Sequence, residues 1–308
     1  MRTAILSCIL PLLTSFSAVK SPAAAGVTPR LKVALVAVVG ARLRPNQPFS
    51  YPDGVAVAPD GTVYVVDTDN AAIVKVSTSG VVSALATTGF SYPTGIAVAA
   101  DGTVYVADAG SKSLKKVSPE GSVAEVTGRG FLYPVGVAVA TDGTVYVADA
   151  GNRVSNGTIK TISPNGRVST LATGFNKPYG VAVAPDGIVY VADTDNNSIK
   201  QVSPAGVVSV LVSTGLHKPH GIAVDARGAV YIADTYSNVV QKISASGAAT
   251  LLANDLAYPS GIAVDANGAV YVTDTGHAAL KKIDLTGTVS TLAAGTTDST
   301  ATPPASKG

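Results

Sequence analysis

The 308-residue sequence predicts an all-β protein of six four-stranded antiparallel blades in a closed ring, a six-bladed β-propeller. Three observations carry this prediction: a P-x-G step recurs six times at intervals of 40 to 44 residues, each interval holds four short extended runs, and turn residues separate the runs. A period near forty residues indicates stacked supersecondary units. One twisted sheet cannot bury both of its faces, whereas six radial sheets cover one another.

The second unit shows the strands most clearly. Its four runs are GIAVA, TVYVAD, SLKKVS and SVAEVT, separated by ADG, AGSK and PEG. Residues that favour strands, Val, Ile and Tyr, dominate these runs, and no window has the apolar face of a helix. The glycine of each DG, RG or NG turn is expected to adopt positive φ in a tight hairpin.

The two ends of the ring compete for the last strand position. Both VALVAVVG (33–40) and VSTLAAG (289–295) resemble the fourth strand of a unit, which gives seven candidates for six blades. We expect the N-terminal strand to pair into the final blade and close the ring. Val289–Ala293 would then be displaced or added outside.

The N-terminus resembles an export signal. Arg2 precedes a broken apolar run, and an A-x-A site precedes Gly26. The predicted divisions are a signal peptide at 1–25, a linker at 26–32, the propeller at 33–295 and a disordered tail at 296–308. The mature chain is therefore expected to be secreted or periplasmic, without a transmembrane segment.

Composition excludes several classes of function. Cys8 is the only cysteine, so the processed chain can form no disulfide and has no cysteine nucleophile or thiolate metal ligand. Loss of Arg2 and Lys20 lowers Lys+Arg from 22 to 20, equal to the 20 Asp+Glu, so the net charge falls from +2 to zero. A neutral chain lacks the basic surface that nucleic-acid binding requires. We expect a monomer with no nucleic-acid partner.

Residues that recur in every unit are expected to be structural, because a catalytic site needs inequivalent residues. One set is an aspartate at the end of each second strand, expected to accept backbone N–H bonds within its own blade: Asp67, Asp108, Asp149, Asp193, Asp234 and Asp274. The other is a tyrosine in the same strand, expected to pack between blades: Tyr64, Tyr105, Tyr146, Tyr190, Tyr231 and Tyr271.

The phrase P-x-G-[IV]-A-V-x-x-x-G-x-V-Y-[VI]-x-D-[TA], followed by [IL]-K-x-[VI]-S, resembles the NHL repeat. Six copies cover residues 51–295, and the wording is most similar to bacterial extracellular propellers such as the sensor domain of the mycobacterial receptor kinase PknD. The resemblance implies a six-bladed propeller used mainly for binding. The repeats are less similar to those of streptogramin lyases, which favour Trp-Phe-Thr-Glu where this chain has Tyr-Val-Ala-Asp.

Function is expected where the blades differ. The middle residue of each P-x-G step varies and should lie near one channel mouth, rimmed by the residues before the prolines, with the loops between second and third strands on the same face. Eight residues form the predicted ligand-binding set: Asp53, Thr94, Tyr92, Tyr133, Tyr179, Lys218, His220 and Ser260. A polar ligand or peptide would fit such a mouth.

All three histidines, His217, His220 and His277, stand in loops of this face. Propellers resembling the peptide-amidating lyase hold a catalytic zinc with channel histidines, so these three are candidate metal ligands; the DTDN segments are weaker candidates for calcium. A chance cluster of surface histidines explains the pattern more simply, and no cofactor is the favoured expectation.

Two functions follow for the chain. The first is a non-enzymatic, exported binding module whose loop-bearing face takes a protein, a peptide or a cell-envelope or extracellular polymer. The alternative is a metal-dependent lyase or hydrolase with its site in the central channel, resembling peptide-amidating or streptogramin lyases. The sequence favours the first.

Overall fold

The computed structural model describes residues 49–152 and 156–294, which form six separate four-stranded antiparallel sheets with no α-helix. In every sheet the strands lie side by side in chain order. The predicted six-bladed propeller is confirmed, and blades are numbered here in chain order.

The strands have these bounds. Blades 1 to 3 comprise β1 (Pro52–Val57), β2 (Val63–Asp67), β3 (Ala72–Val76) and β4 (Val82–Ala86); β5 (Pro93–Val98), β6 (Val104–Asp108), β7 (Ser113–Val117) and β8 (Val123–Thr127); and β9 (Pro134–Val139), β10 (Val145–Asp149), β11 (Gly157–Ile162) and β12 (Val168–Phe175). Blades 4 to 6 comprise β13 (Pro178–Val183), β14 (Val189–Asp193), β15 (Ser198–Val202) and β16 (Val208–Val212); β17 (Pro219–Val224), β18 (Val230–Asp234), β19 (Val239–Ile243) and β20 (Ala249–Ala253); and β21 (Pro259–Val264), β22 (Val270–Asp274), β23 (Ala279–Ile283) and β24 (Val289–Ala294). Single 3-10 turns follow the second strands of blades 4 to 6, at Thr194–Asn196, Thr235–Ser237 and Thr275–His277.

The hydrophobic core is divided into six clusters, one between each pair of neighbouring blades. Between blades 1 and 2, Tyr64 and Val66 pack with Ile96 and Val104. The cluster that joins blade 6 to blade 1 contains Tyr271, Leu280, Val55 and Val63. Each second-strand tyrosine packs against the following blade, so the predicted role of these tyrosines is confirmed.

The final blade is completed by the C-terminal strand itself. Leu280 of β23 pairs with Ala293 of β24, so Val289–Ala294 fills the fourth position, and the prediction that this segment is displaced or added outside is wrong. The physical reason is local: a tight turn with Gly287 at positive φ joins β23 to β24, whereas a strand from the far end would have to close a loop as long as the ring. The predicted N-terminal strand at 33–40 lies outside the described residues.

Blades 6 and 1 meet through side chains and hydrogen bonds. The Thr275 hydroxyl donates to the Pro52 carbonyl (2.6 Å), and the Thr273 hydroxyl donates to the Asp53 carbonyl (2.5 Å). Equivalent threonines join blade 1 to 2, 4 to 5 and 5 to 6: Thr68, Thr194 and Thr235. The ring is therefore closed by the kind of threonine contact that also joins blades 1 to 2, 4 to 5 and 5 to 6.

The predicted signal peptide (1–25), linker and C-terminal tail lie outside the described residues. Within the described part of the chain, no helix has the length and apolar character that a bilayer span requires.

Candidate functional site

The innermost strands approach one another so closely that the P-x-G glycines must lack a side chain. A methyl group on Gly54 would overlap the carbonyl oxygen of Thr94, and one on Gly261 would overlap that of Asp53. The other four pairs repeat this contact: Gly95 with Val135, Gly136 with Tyr179, Gly180 with His220, and Gly221 with Ser260. The six middle residues of the P-x-G steps are thereby held at one level around the channel.

Three of these middle residues form a buried hydrogen-bonded network around one carboxylate. Asp53 is 2% exposed; the Tyr179 phenol donates to its Oδ2 atom and the Ser260 hydroxyl to its Oδ1 atom. Blades 1 and 4 are opposite in a ring of six, so Tyr179 reaches Asp53 across the channel. Burial raises the pKa of Asp53 from 3.8 to about 6, although both hydrogen bonds act to lower it.

His220 stacks on the Tyr179 ring. The ring centroids are 4.3 Å apart and the planes differ by 12°. Burial lowers the pKa of His220 from 6.5 to about 4; the Lys218 charge lowers it further, and Asp195 acts in the other direction. His220 is therefore neutral at physiological pH. Tyr179 contacts both His220 and Asp53, the carboxyl whose pKa is raised. Environments that move two titratable groups in opposite directions are typical of acid–base sites.

Five tyrosines stand around this network on the loop-bearing face: Tyr51, Tyr92, Tyr133, Tyr236 and Tyr258. We call them the aromatic collar. Burial, and then the Asp53 charge, raises the pKa of Tyr51 above its ordinary range and that of Tyr92 to about 12. The same causes raise the pKa of Tyr133. Three phenols from blades 1 to 3 therefore lie within electrostatic reach of one carboxylate.

Ring contacts link the remaining collar tyrosines to the histidines. Tyr236 meets Tyr258 edge-on at 5.8 Å between centroids. It also lies 5.4 Å from the His217 ring and 6.4 Å from the His220 ring. The collar is thus continuous with the buried network through His220.

The loops around the mouth have two backbone conformations. In blades 1 to 3, the residue before each proline donates its N–H to the aspartate at the end of the second strand, as Tyr92 does to Asp108 (2.7 Å). In blades 4 to 6, that residue adopts a left-handed φ of 48° to 50°: Lys177, Lys218 and Tyr258. Its N–H is then free for another acceptor, and Lys218 donates to Asn197 Oδ1 (2.8 Å).

The rim of blades 4 and 5 carries a small charged cluster. Asp195 pairs with Lys177 (3.0 Å) and Lys218 (3.6 Å). The Lys218 ammonium also lies 5.4 Å from the centroid of the Tyr236 ring. This side of the collar therefore already holds a protein cation against an aromatic face.

The six recurrent aspartates are structural, as predicted. Each accepts a backbone N–H from the loop before the first strand of its own blade. Where a lysine follows in the third strand it pairs with the carboxylate, as Lys115 does with Asp108 (2.7 Å). Burial acts to raise the pKa of Asp108, but Lys115 and the hydrogen bonds hold it below its ordinary value, whereas burial raises the pKa of Asp67, which has Val74 at the lysine position.

Comparison with protein families decides the classification. The sequence profile of the virginiamycin B lyase family matches residues 39–243, more than half of the chain. The chain belongs to this family. The NHL-repeat profile matches 256–283, so the predicted NHL character is also supported. The Tyr-Val-Ala-Asp sequence of the repeats suggested a weaker similarity to the streptogramin lyases than to other NHL propellers. The match to the virginiamycin B lyase family corrects that expectation.

Solved structures with the same fold belong to proteins of several different functions, and each has low sequence identity to this chain. A catalytically inactive histidine-to-alanine variant of virginiamycin B lyase from Staphylococcus aureus with quinupristin is 17% identical, with 82% of this chain and 86% of that chain covered and a TM-score of 0.61. A gluconolactonase from Xanthomonas campestris is 18% identical, with 80% and 87% covered and a TM-score of 0.69. A chain of a nidogen–laminin complex is 20% identical, with 72% and 90% covered and a TM-score of 0.65. No curated protein sequence matches the chain. At these identities the structures support the propeller fold alone.

In this member of the virginiamycin B lyase family, the histidines do not assemble into a metal centre. His277 Nδ1 lies 2.8 Å from Asp274 Oδ2, His217 contacts Tyr236, and His220 stacks on Tyr179. Among the described residues, no group of three or more His, Cys, Asp or Glu side chains is placed to hold a metal ion. The three histidines are therefore not grouped as a shared zinc site would require.

The structure brings most of the predicted ligand-binding residues together. Asp53, Tyr179, His220 and Ser260 form or contact the buried network, Tyr92 and Tyr133 belong to the collar, and Lys218 lies on the rim. Thr94 is buried and donates its hydroxyl to the Val135 carbonyl (2.9 Å) instead. The prediction missed Tyr236; its signal was a tyrosine where the other blades have Asp or Gly.

The channel also has a larger opening at its other end. A cavity of about 780 Å³ is bounded there by hairpin turns between first and second strands, including Asp60, Asp101 and Asp265. The space beside Asp53 and Tyr179 measures only about 60 Å³. This smaller space is lined by the innermost strands, including Asp53, Tyr179 and Ser260, and by none of the collar tyrosines.

Proposed function

We propose that this member of the virginiamycin B lyase family is a binding module that takes its ligand at the aromatic collar, above the Tyr179–Asp53 pair. The observation that carries the proposal is the exposure of four collar tyrosines, 40% to 43% each, on the one face where the blades differ: Tyr92, Tyr133, Tyr236 and Tyr258. Rings kept open to water next to one another are typical of interaction sites.

Backbone strain at the same place supports the proposal. Lys177, Lys218 and Tyr258 hold left-handed φ values that cost non-glycine residues about 1–2 kcal/mol each. Each precedes a proline, which normally restricts a residue to extended backbone. Strain of this kind persists where the surroundings fix it and concentrates at functional sites.

The ligand is a protein, a peptide or an envelope or extracellular polymer, met outside the cytoplasm after export. The mature protein works as a monomer, in the manner expected of a receptor-like NHL propeller. Export is tested by expressing the full chain in a bacterial host and determining the N-terminus of the protein recovered outside the cytoplasm. A start near residue 26 supports the proposal, and an uncleaved intracellular protein contradicts it.

The binding site is tested with arrays of peptides and of envelope-derived oligosaccharides. We expect the double variant Tyr92→Ala/Tyr133→Ala to lose signals that the wild type gives. The matched control is Val210→Ala/Leu251→Ala, which removes two side chains that are 58% and 57% exposed on outer strands away from the collar. Equal signals from wild type and the collar variant would refute the site.

A second function, lyase or hydrolase activity in the central channel, is favoured by family membership together with the Asp53–Tyr179–His220 arrangement. A carboxyl that is protonated more readily than usual and a neutral imidazole can serve as general acid and general base. The family name, and the streptogramin that the Staphylococcus aureus enzyme variant was solved with, make quinupristin the first substrate to test.

The cleavage reaction is tested by incubating the protein with quinupristin, separating starting material from product by chromatography, and measuring the mass of each. Elimination opens the ring and leaves the mass unchanged, whereas hydrolysis adds one water. Either product must depend on Asp53 and His220: Asp53→Asn and His220→Gln should abolish it, and Asp265→Asn at the other channel mouth should not. Unchanged, uncleaved quinupristin at high protein concentration removes this second function for that substrate.

A further inference from the structure

We infer that the half of the aromatic collar formed by blades 1 to 3 is a receptor for an organic cation, a quaternary or tertiary ammonium group. The inference rests on the proposed binding function and names the chemical class of its ligand. It stands on the position of one buried carboxylate, on the arrangement of three tyrosines, and on a lysine that occupies the other half of the collar.

The first observation is a buried carboxylate without a cationic partner. Among the described residues, no lysine or arginine forms an ion pair with Asp53; hydroxyl groups of Tyr179 and Ser260 hold its two oxygens. Burying an unpaired charge is costly, and hydroxyl donors compensate only part of the cost. A cation that enters the mouth would supply the missing countercharge.

The hydrogen bonds of Asp53 also decide what kind of ligand it can attract. Asp53 is only 2% exposed and each of its oxygens already accepts one hydroxyl hydrogen bond, so few of its acceptor sites are accessible and it acts on an incoming group mainly through its charge. A sugar hydroxyl needs a free acceptor, whereas a quaternary ammonium group needs only charge and ring faces. The network therefore favours an ammonium ligand over a neutral polyol.

The second observation is that the collar already binds an ammonium group in its other half. The Lys218 ammonium lies 5.4 Å from the Tyr236 centroid, and Asp195 is its counter-ion (3.6 Å). This combination of ring face, ammonium and carboxylate is the geometry of a cation–π site. It shows which chemistry the aromatic surface of this face accommodates.

The half of the collar formed by blades 1 to 3 also combines aromatic rings with a carboxylate, but the residue before each proline is a tyrosine there and a lysine in blades 4 and 5. The pre-proline residues of blades 1 to 3 are Tyr51, Tyr92 and Tyr133, and Tyr92 and Tyr133 are 42% and 41% exposed. Burial, and after it the Asp53 charge, raises the pKa of each of the three phenols. Asp69, exposed in the adjoining loop of blade 1, adds a second negative charge that acts on Tyr51 and Tyr92. In this half the protein supplies the tyrosine rings and the carboxylates, and we expect the ligand to supply the ammonium group.

Positive groups on the face limit the ligand. Lys177 and Lys218 are held by Asp195 on the far side, and Lys112 is exposed in the loop of blade 2. A ligand with a single ammonium group can seat in the blade 1 to 3 half and avoid them, whereas a polycation would meet them. We therefore expect the ligand to present a single organic ammonium group to this half of the collar.

The experiment compares choline with its uncharged carbon isostere, in which carbon replaces the ammonium nitrogen. The chain has 12 tyrosines, five of them in the collar, and no tryptophan, so tyrosine fluorescence includes a signal from the collar. Calorimetry gives an independent affinity. We expect choline to bind about tenfold more tightly than the isostere at neutral pH. Tyr92→Leu keeps apolar bulk without the ring and should reduce that ratio at least about threefold.

Charge is tested separately. Asp53→Asn should weaken choline to the level of the isostere and leave the isostere unchanged, while Asp265→Asn should change neither. Thermal unfolding of each variant confirms that it is folded; if Asp53→Asn does not fold, the Tyr92→Leu result decides. Equal binding of choline and isostere, or binding of neither, overturns the cation inference. If the cation inference fails but the Tyr92→Ala/Tyr133→Ala variant still loses array signals, the proposed binding function stands. If that variant loses no array signal, the binding function and the cation inference both fail.

Discussion

The Tyr179 phenol in blade 4 donates a hydrogen bond to Oδ2 of Asp53 in blade 1, on the opposite side of the ring. This bond connects two residues that are 126 positions apart and brings a titratable group of each half of the propeller into one network. It also links Asp53 to His220, which stacks on the same tyrosine. The following predictions test this arrangement.

Tyr179→Phe removes a donor from a buried carboxylate without changing the ring. A hydrogen bond to a charged group stabilises a protein by about 1.5–3 kcal/mol, so we expect the unfolding free energy at neutral pH to fall by about 2 kcal/mol. Tyr105→Phe is the control, because the hydroxyl of Tyr105 has no hydrogen-bond partner among the described residues. Urea unfolding measures both. An equal, small effect of the two variants would mean that the bond to Asp53 contributes nothing.

Asp53 should make the propeller less stable as pH rises. Burial raises its folded pKa from 3.8 to about 6, so the folded state binds this proton more tightly than the unfolded state. Its contribution is fully present below the unfolded pKa and is lost as pH rises through the folded value, a change of about 3 kcal/mol at most. Other carboxylates titrate in the same range, so the quantity to measure is the difference between wild type and Asp53→Asn. A difference that is constant from about pH 4 to about pH 7 contradicts the assignment.

His220 should remain neutral in mildly acidic solution. Burial lowers its pKa from 6.5 to about 4, so it stays uncharged where an ordinary histidine is protonated. The chain has three histidines, and NMR titration of their ring signals, with His220→Gln to assign one of them, reads the protonation directly. A His220 signal that titrates near 6.5 would show that the ring is solvated and not packed on Tyr179.

The glycine ring should be intolerant of a single methyl group. Gly136→Ala places a Cβ atom on the Tyr179 carbonyl oxygen, a backbone atom that cannot move alone, and we expect a loss of about 3 kcal/mol. Gly247→Ala is the matched control: its φ of 86° is unfavourable for alanine, but no atom lies within 4 Å, so the expected cost is about 1 kcal/mol. Chemical unfolding compares the two. Similar losses would mean that blade spacing adapts to the extra methyl group.

Repetition made much of the fold predictable. Because the same residue recurs in every blade, the role of one position could be inferred for all, and the buried carboxylate of Asp108 and the inter-blade ring of Tyr64 lie as the sequence predicts. The variable middle residues of the P-x-G steps were located at the mouth by the same logic. What repetition cannot supply is any difference between blades, such as the two backbone conformations before the prolines.

The sequence by itself determined the number of blades, the strands within them, and the face on which blades differ, because each depends on contacts within one repeat or between successive repeats. Only the tertiary structure decided that Asp53 meets Tyr179, that Tyr236 joins the collar, and that β24 completes its own blade. The contacts of Asp53 and Tyr236 depend on the angular position of each blade around the ring. The place of β24 depends on which of two candidate strands is joined to the final blade by the shorter loop. Neither the angle nor the loop length can be read from the sequence of one repeat, because both depend on how the six blades close into a ring.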